Sequence, residues 1–333
     1  MNELITPLLN GNRRALARLL TLVENQAAEE ALMQLFPHTG RAWVIGVTGA
    51  PGTGKSSLVN ALAKAFRAEG KTVGIVAVDP TSPFTGGAIL GDRIRMRDLS
   101  GDPGVFIRSM ATRGSLGGLA STTRDAVRVL DAAGFDVVLI ETVGAGQSEV
   151  DIVRTAQTTL VVEAPGLGDD IQAIKAGILE IADVLVVNKA DRPEAPNTVR
   201  ALRAMLEMGH PVSRTQSHHG RTMQVEAPPH ESTTLWIPPV VQTVATHDTG
   251  IRELLEAMAA HREYLKQDTV MLALERQRIE VELIERLRTV LLARLLESVS
   301  AGELAALLDQ IQKREIDPQQ AVYIILSRHA LVN

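Results

Sequence analysis

The chain contains no cysteine. That excludes disulfides, iron–sulfur clusters, zinc fingers and any thiol nucleophile. Aromatic residues make up 3% of the 333, with two Trp and two Tyr, which is too sparse for base-stacking platforms. Neither sign of charge dominates: 34 Lys plus Arg stand against 39 Asp plus Glu, a formal net charge of −5. A mildly acidic balance of this kind makes a poor general nucleic-acid binder. No apolar run approaches the ~20 residues needed to span a bilayer. Met1-Asn2-Glu3 is not the lead of a signal peptide. Arg13, Arg14 and Arg18 lie on a helical pattern, but Glu3, Glu24, Glu29 and Glu30 argue against an organelle presequence, which avoids acids. The expectation is a cytoplasmic enzyme or regulator that contacts neither nucleic acid nor membrane. The length predicts two domains, or one large domain with appendages.

Three regions are predicted. Residues 1–40 form an N-terminal helical extension, with Leu8, Leu16, Leu19, Leu20, Val23 and Leu32 at helical spacing over 1–36. Residues 41–265 switch to short β-branched runs: Val44–Thr48, Val73–Val78, Val105–Ile107, Val137–Glu141, Thr159–Val162, Val184–Val187 and Ile237–Val244. Helical stretches alternate with them at Lys55–Ala68, Leu119–Ala132, Asp170–Ile181 and Ile251–Leu265. Alternation of this kind predicts right-handed βαβ units, and so an α/β fold with a mostly parallel sheet sandwiched by helices. Residues 208–234, rich in Gly, Pro, Ser, Thr and His, read as a solvated loop or insertion. Residues 266–333 are helical, with Ile279, Leu283, Leu287, Val290, Leu291 and Leu295 in one broad apolar stripe. Asp317-Pro318 reads as an N-cap followed by proline at the first helical position. The stripe packs either on its own domain or in a homodimer.

The chemistry starts at Gly49-Ala50-Pro51-Gly52-Thr53-Gly54-Lys55-Ser56, which matches G-x-x-x-x-G-K-[ST] between a predicted strand and a predicted helix. The glycines let backbone N–H groups wrap phosphates, and the helix N-terminus adds partial positive charge. Lys55 would reach the β- and γ-phosphates, and Ser56 would bind Mg²⁺; Ser57 follows as a further nucleotide contact. Asn188-Lys189-Ala190-Asp191, after the strand Val184–Val187, reads as the guanine selector. Asp191 would accept from guanine's ring N–H and amino group, whereas adenine would leave a buried carboxylate unpaired. The Lys189 stem would cover the base, and Asn188 would tie this loop to the phosphate loop. Thr243-Val244-Ala245 is positioned to offer a backbone N–H to the guanine carbonyl.

Glu141-Thr142-Val143-Gly144 ends another strand. Glu141 would hold Mg²⁺ directly or through water, and the Gly144 N–H would meet the γ-phosphate. Gln147 is a candidate for positioning water. From Lys55 to Glu141 is 141 − 55 = 86 residues, longer than a Ras-like hairpin would need. That spacing favours the all-parallel P-loop (SIMIBI-type) G domain of the signal-recognition and metallochaperone class. Asp79, ending the second strand, and Asp92, after a glycine-rich stretch, are further metal candidates; each also reads as a turn or cap Asp.

In these residues the chain resembles the MeaB/ArgK family, the GTPase chaperones of adenosylcobalamin-dependent methylmalonyl-CoA mutase. The resemblance runs from Leu9-Asn10-Gly11-Asn12-Arg13-Arg14 through Asp79-Pro80-Thr81-Ser82 and Thr85-Gly86-Gly87 to Ala145-Gly146-Gln147-Ser148-Glu149. Pro165-Gly166-Leu167-Gly168-Asp169-Asp170-Ile171-Gln172 is its most family-specific piece. It implies GTP/GDP and Mg²⁺ as cofactors, with Ser56, Asp79, Asp92 and Glu141 around the metal. Asp92 would lie in switch I, Gln147 to Glu149 in switch II, and Gly166 to Lys175 in a third switch that signals to the mutase. The C-terminal helices would form a homodimer, and the partner would be an adenosylcobalamin-dependent acyl-CoA mutase whose cofactor loading is gated by slow, partner-stimulated GTP hydrolysis. Two departures are Thr243-Val244-Ala245, where many GTPases read Ser-Ala, and the polar segment 208–234. A nickel metallochaperone GTPase shares the domain class, but such proteins commonly bind metal through Cys and His near the phosphate loop. A P-loop kinase would use the same loop without needing guanine selectivity.

Overall fold

The computed structural model describes residues 2–79, 97–99, 101–111, 118–142, 155–166, 181–208, 216–218, 221–223 and 236–329. The chain divides into two compact units, Met1–Lys266 and Gln267–Asn333.

The first unit is built on seven parallel strands: β1 (Trp43–Thr48), β2 (Val73–Asp79), β3 (Val105–Ala111), β4 (Val137–Thr142), β5 (Thr158–Glu163), β6 (Val184–Asn188) and, after a separate pair, β9 (Val240–Thr243). Their order is β3-β2-β4-β1-β5-β6-β9. Strands β1, β4, β5 and β6 are buried along their whole length, as β-branched runs covered on both faces must be. Alternate side chains feed opposite layers. Val44, Val138 and Ile140 meet α1 (Asn2–Leu9), α2 (Arg13–Glu24), α3 (Glu29–Leu35) and α5 (Gly118–Ala132) on one face. Ile45, Val47, Leu139 and Leu160 meet α4 (Lys55–Ala68) and α7 (Ile251–Leu265) on the other. Val161, Leu185 and Val187 pack on α6 (Ala195–Met208).

Three expectations need correction. The helix expected over 1–36 is three helices. Gly11 breaks the first with φ +79°, and Asn12 caps the next by accepting from the Arg14 and Ala15 N–H groups at 3.0 Å each. Gln26, at φ +55°, marks the second break. Inside 208–234, β7 (Gln216–His218) and β8 (Arg221–Met223) pair antiparallel where only loop was expected. The strand expected over Ile237–Val244 starts at Val240, because Pro238 and Pro239 have no N–H to give a ladder. The helix expected over Asp170–Ile181 lies outside the described residues, apart from Ile181.

The N-terminal helices are clamped to the sheet by charge-assisted bonds. The Arg13 guanidinium donates to the Pro103 and Val105 carbonyls at 2.7 and 2.6 Å, and Arg108 pairs with Glu24. The buried Asp131 carboxylate on α5 accepts from three successive backbone N–H groups, Gly40 at 2.5 Å, Arg41 at 3.1 Å and Ala42 at 2.8 Å. It therefore sets where the chain enters β1. Asp131→Ala leaves those donors without their acceptor. We expect a loss of about 2–4 kcal/mol, seen as a melting temperature lower by about 5–10 °C. An unchanged melt would mean that water replaces the carboxylate at no cost.

The second unit consists of α8 (Asp268–Ser298), α9 (Ala301–Gln312) and α10 (Pro318–Arg328). Asp317 caps α10 in a full capping box with Gln320, and Pro318 takes the first helical position, as expected. Glu303 joins α9 to the end of α10. It accepts from His329 at 2.8 Å and Arg328 at 3.1 Å, and these bonds hold its carboxyl below the usual carboxylate range. Among the described residues, no helix is long and apolar enough to cross a membrane.

Candidate functional site

In an open parallel sheet, ligands bind beyond the carboxyl ends of the strands, where the strand order reverses. Here that reversal flanks β1, because β4 lies on one side of it and β5 on the other. The expected site residues cluster at this edge. The glycine-rich loop follows β1, Glu141 sits one residue from the end of β4, and Asp79 ends β2. Asn188 ends β6 and Thr243 ends β9.

Two glycines are required by close approach. Gly49 has φ +139°, and a Cβ there would stand 2.1 Å from the Val162 carbonyl oxygen on β5. Gly54 has φ +94°, and a Cβ there would stand 2.4 Å from Asn188 Nδ2. Gly54 is also the N-cap of α4 and supplies no side-chain cap. The start of an α-helix without a side-chain cap favours a ligand with negative charge.

The loop's cationic and hydroxyl groups are held internally. Lys55, 6% exposed, donates from Nζ to the Gly49 and Ala50 carbonyls at 2.8 and 3.0 Å. The Ser56 hydroxyl donates to Glu141 Oε1 at 2.5 Å; both residues are buried. A buried hydroxyl beside a buried carboxylate is a hard-oxygen pair of the kind Mg²⁺ takes. Behind it, the Thr142 and Thr48 hydroxyls bond at 3.0 Å, joining the ends of β4 and β1.

Asn188 is the hub of the second half. Its Nδ2 donates to the Thr53 carbonyl at 2.9 Å, and its Oδ1 accepts from Thr243 Oγ1 at 3.2 Å and the Ala245 N–H at 3.1 Å. Lys189, at φ +56°, donates to the Gly52 carbonyl at 2.6 Å. The phosphate loop, the Asn188–Asp191 turn and the β9 exit are therefore one hydrogen-bonded assembly, with Asp191 exposed on its rim. The Val244 N–H is used by the Thr249 carbonyl at 3.0 Å. A base carbonyl would therefore have to share the Ala245 N–H with Asn188. Asp92, Gly144 and Gln147 lie outside the described residues, as do the side chain of Asp79 and residues 167–180.

Sequence reasoning passed over two features. One is Arg192, whose Nη1 donates to the Pro165 carbonyl at 3.1 Å; an arginine after N-K-A-D carries no motif signal. The other is a buried brace at the opposite edge of the sheet. There the Trp43 indole N–H donates to Thr158 Oγ1 at 3.2 Å. Thr158 bonds His261 Nδ1 at 3.1 Å, and His261 Nε2 lies 3.3 Å from Asp183. Its members come from distant segments, so no local pattern announces it.

A parallel sheet, a phosphate loop at its switch point and a base-recognition turn locked to that loop define a P-loop GTPase. The comparisons narrow this class. The family described as methylmalonyl-CoA mutase-associated GTPase MeaB matches residues 16–300. A Pyrococcus abyssi protein bearing the name of a GTPase is 48% identical over 328 residues, covering 98% of this chain and 96% of its own. GTPase ArgK of Escherichia coli is 37% identical over 262 residues, covering 77% of this chain and 74% of its own. The crystal structure of an LAO/AO transport system kinase superposes with a TM-score of 0.69 at 25% identity, covering 98% of this chain and 96% of that one. The chain belongs to the MeaB family, and it is a GTPase.

Proposed function

We propose that this GTPase is a chaperone of an adenosylcobalamin-dependent acyl-CoA mutase of the methylmalonyl-CoA mutase type, gating cofactor loading or repair by GTP hydrolysis. The observation that carries the reading is the family match, whose description names a mutase-associated GTPase and which spans residues 16–300. GTP would lie on Gly49–Ser56, with Ser57 beside it, its base against Asn188, Lys189 and Asp191, and the Thr243–Ala245 stretch closing over the base edge. Lys55 would leave the loop carbonyls for the phosphates, and main-chain N–H groups at the start of α4 would share the charge that develops there. Ser56 and Glu141 would hold Mg²⁺, with Asp79 and Asp92 as further ligand candidates; bound there, the ion would neutralise phosphate charge. The Gly144 N–H would meet the terminal phosphate and Gln147 would orient water.

The units Met1–Lys266 and Gln267–Asn333 support a division into a G domain bearing the N-terminal extension and a separate C-terminal region. We assign homodimerisation to the latter. Along α8, Ile279, Leu283, Leu287, Val290, Leu291 and Leu296 are exposed. Among the described residues of this unit only Leu307 and Ala321 are buried apolar side chains. A segment of that size cannot be stable on so small a core without another surface to cover it.

The test is GTP turnover by the full chain, alone and with an adenosylcobalamin-dependent acyl-CoA mutase, with ATP as control. The expected result is GTP-selective turnover that the mutase raises by about tenfold or more, as completion of a switch site does. GTP-selective turnover indifferent to every such mutase would overturn the client assignment.

A further inference from the structure

We propose that Arg192 is a positioning residue that couples recognition of the guanine base to the backbone leaving β5. The inference deepens the reading above: it rests on Asp191 as the base contact and on Gly166–Lys175 as the segment that signals to the partner.

The geometry is a short mechanical link. Asp191 and Arg192 are neighbours in the turn between β6 and α6. That turn is closed on itself by the Arg192 N–H donating to the Lys189 carbonyl at 3.1 Å, and by the Ala195 N–H donating to the Arg192 carbonyl at 3.1 Å. Lys189 holds a left-handed backbone conformation, φ +56°, which costs a non-glycine residue free energy and persists only where its surroundings impose it. Two contacts impose it: Lys189 Nζ on the Gly52 carbonyl at 2.6 Å, and the Ala190 N–H on the Thr243 carbonyl at 3.0 Å. The turn is therefore a stiff piece tied to the phosphate loop and to the β9 exit, and a base seated on Asp191 would displace it as a unit.

Arg192 carries a hydrogen bond from this turn to the chain beyond β5. Its guanidinium crosses from the β6 side to the Pro165 carbonyl, two residues past Glu163, the end of β5. The receiving end is directional. Pro165 is buried and its ring fixes φ, so a pull on its carbonyl is passed to the next residue. Gly166 sits at φ +83°, with Arg192 Nη1 3.8 Å from the position a Cβ would occupy. The guanidinium thus lies against the pivot from which residues 167–180 continue. Its planar donor array holds direction at a carbonyl in a way an ammonium does not. Asp191 and Pro165 thereby become two sites joined by one directional bond, which is what a coupling between base and partner segment requires.

The experiment is hydrogen–deuterium exchange over residues 163–175 of the full chain, saturated with GTP and separately with ATP, which brings the same phosphates without the guanine donors that Asp191 would accept. The variants are Arg192→Gln and Arg192→Lys, with affinity measured by calorimetry. In the unsubstituted chain, exchange over 163–175 should differ between the two nucleotides. In Arg192→Gln that difference should shrink at least about fivefold, the lower end of measured coupling between sites, while GTP affinity stays within about threefold. Arg192→Lys should restore part of the difference, since an ammonium can still donate once to the Pro165 carbonyl. If Arg192→Gln keeps the full difference, the segment responds to nucleotide without Arg192 and the link is overturned. If Arg192→Gln instead loses GTP affinity by tenfold or more (about 1.4 kcal/mol), Arg192 belongs to the binding site itself and the positioning role is overturned. If the unsubstituted chain shows no difference over 163–175, the reading of that segment fails, and the coupling with it.

Discussion

Lys55→Ala should weaken GTP binding by at least about a hundredfold, the equivalent of about 3 kcal/mol for a charge-assisted bond to phosphate. The Lys55 ammonium is buried and rests on the Gly49 and Ala50 carbonyls, at the point where α4 begins and where Gly54 leaves first-turn N–H groups without a side-chain cap. Anionic phosphates arriving there gain the ammonium as a donor, and the loop carbonyls lose only a partner that water can replace. The substitution therefore removes a large part of ligand affinity while touching no apolar core residue, so the melt of the nucleotide-free protein should change little. Calorimetry of GTP binding checks it. Affinity within threefold of the unsubstituted chain would mean that Gly49–Ser56 is not the phosphate site.

The second large effect is in selectivity. Asp191→Asn should lower the GTP-to-ATP affinity ratio by about a hundredfold, because one carboxylate accepting two guanine donors is replaced by an amide that presents a donor to one of them. Xanthosine triphosphate, which carries a carbonyl in place of guanine's amino group, should gain affinity in the same variant. The measurement is competition between the three nucleotides for one fluorescent guanine nucleotide. An unchanged ratio would move base reading away from Asp191. Asn188 is the wrong residue for this test. Its side chain holds Thr53, Thr243 and Ala245 together, so its loss would disturb the phosphate loop and the base loop at once.

Much of this could be read from the order of residues. The phosphate loop declares itself through glycines at fixed spacing followed by Lys55 and Ser56, because backbone N–H groups can wrap a phosphate only where side chains are absent. The buried strands declare themselves because Val137-Val138-Leu139-Ile140 has no polar face to give to solvent. The long interval between Lys55 and Glu141 pointed to an all-parallel sheet, and seven strands run parallel. Where reading by periodicity failed, local backbone chemistry had the stronger say. Gly11 and Asn12 outweighed the leucine pattern of the N-terminal helix. Pro238 and Pro239 delayed β9. The pairing of Gln216–His218 with Arg221–Met223 depends on backbone hydrogen bonds that a polar composition does not forbid.

By itself the sequence determined the kind of ligand and the kind of fold: a phosphate loop, a guanine-type turn, and strands that must be buried on both faces. Those are properties of short segments, settled by which side chains are missing or present within a few residues. Only the tertiary structure decided how the segments act on one another. It brought Ser56 onto Glu141 across 85 residues, Asn188 onto Thr53 across 135, Arg192 onto Pro165, and Trp43, Thr158, Asp183 and His261 into one buried brace. The physical reason is that each of these bonds joins residues from different strands or loops. Its strength depends on strand order and register, which are set by the packing of the whole sheet rather than by any local run of residues.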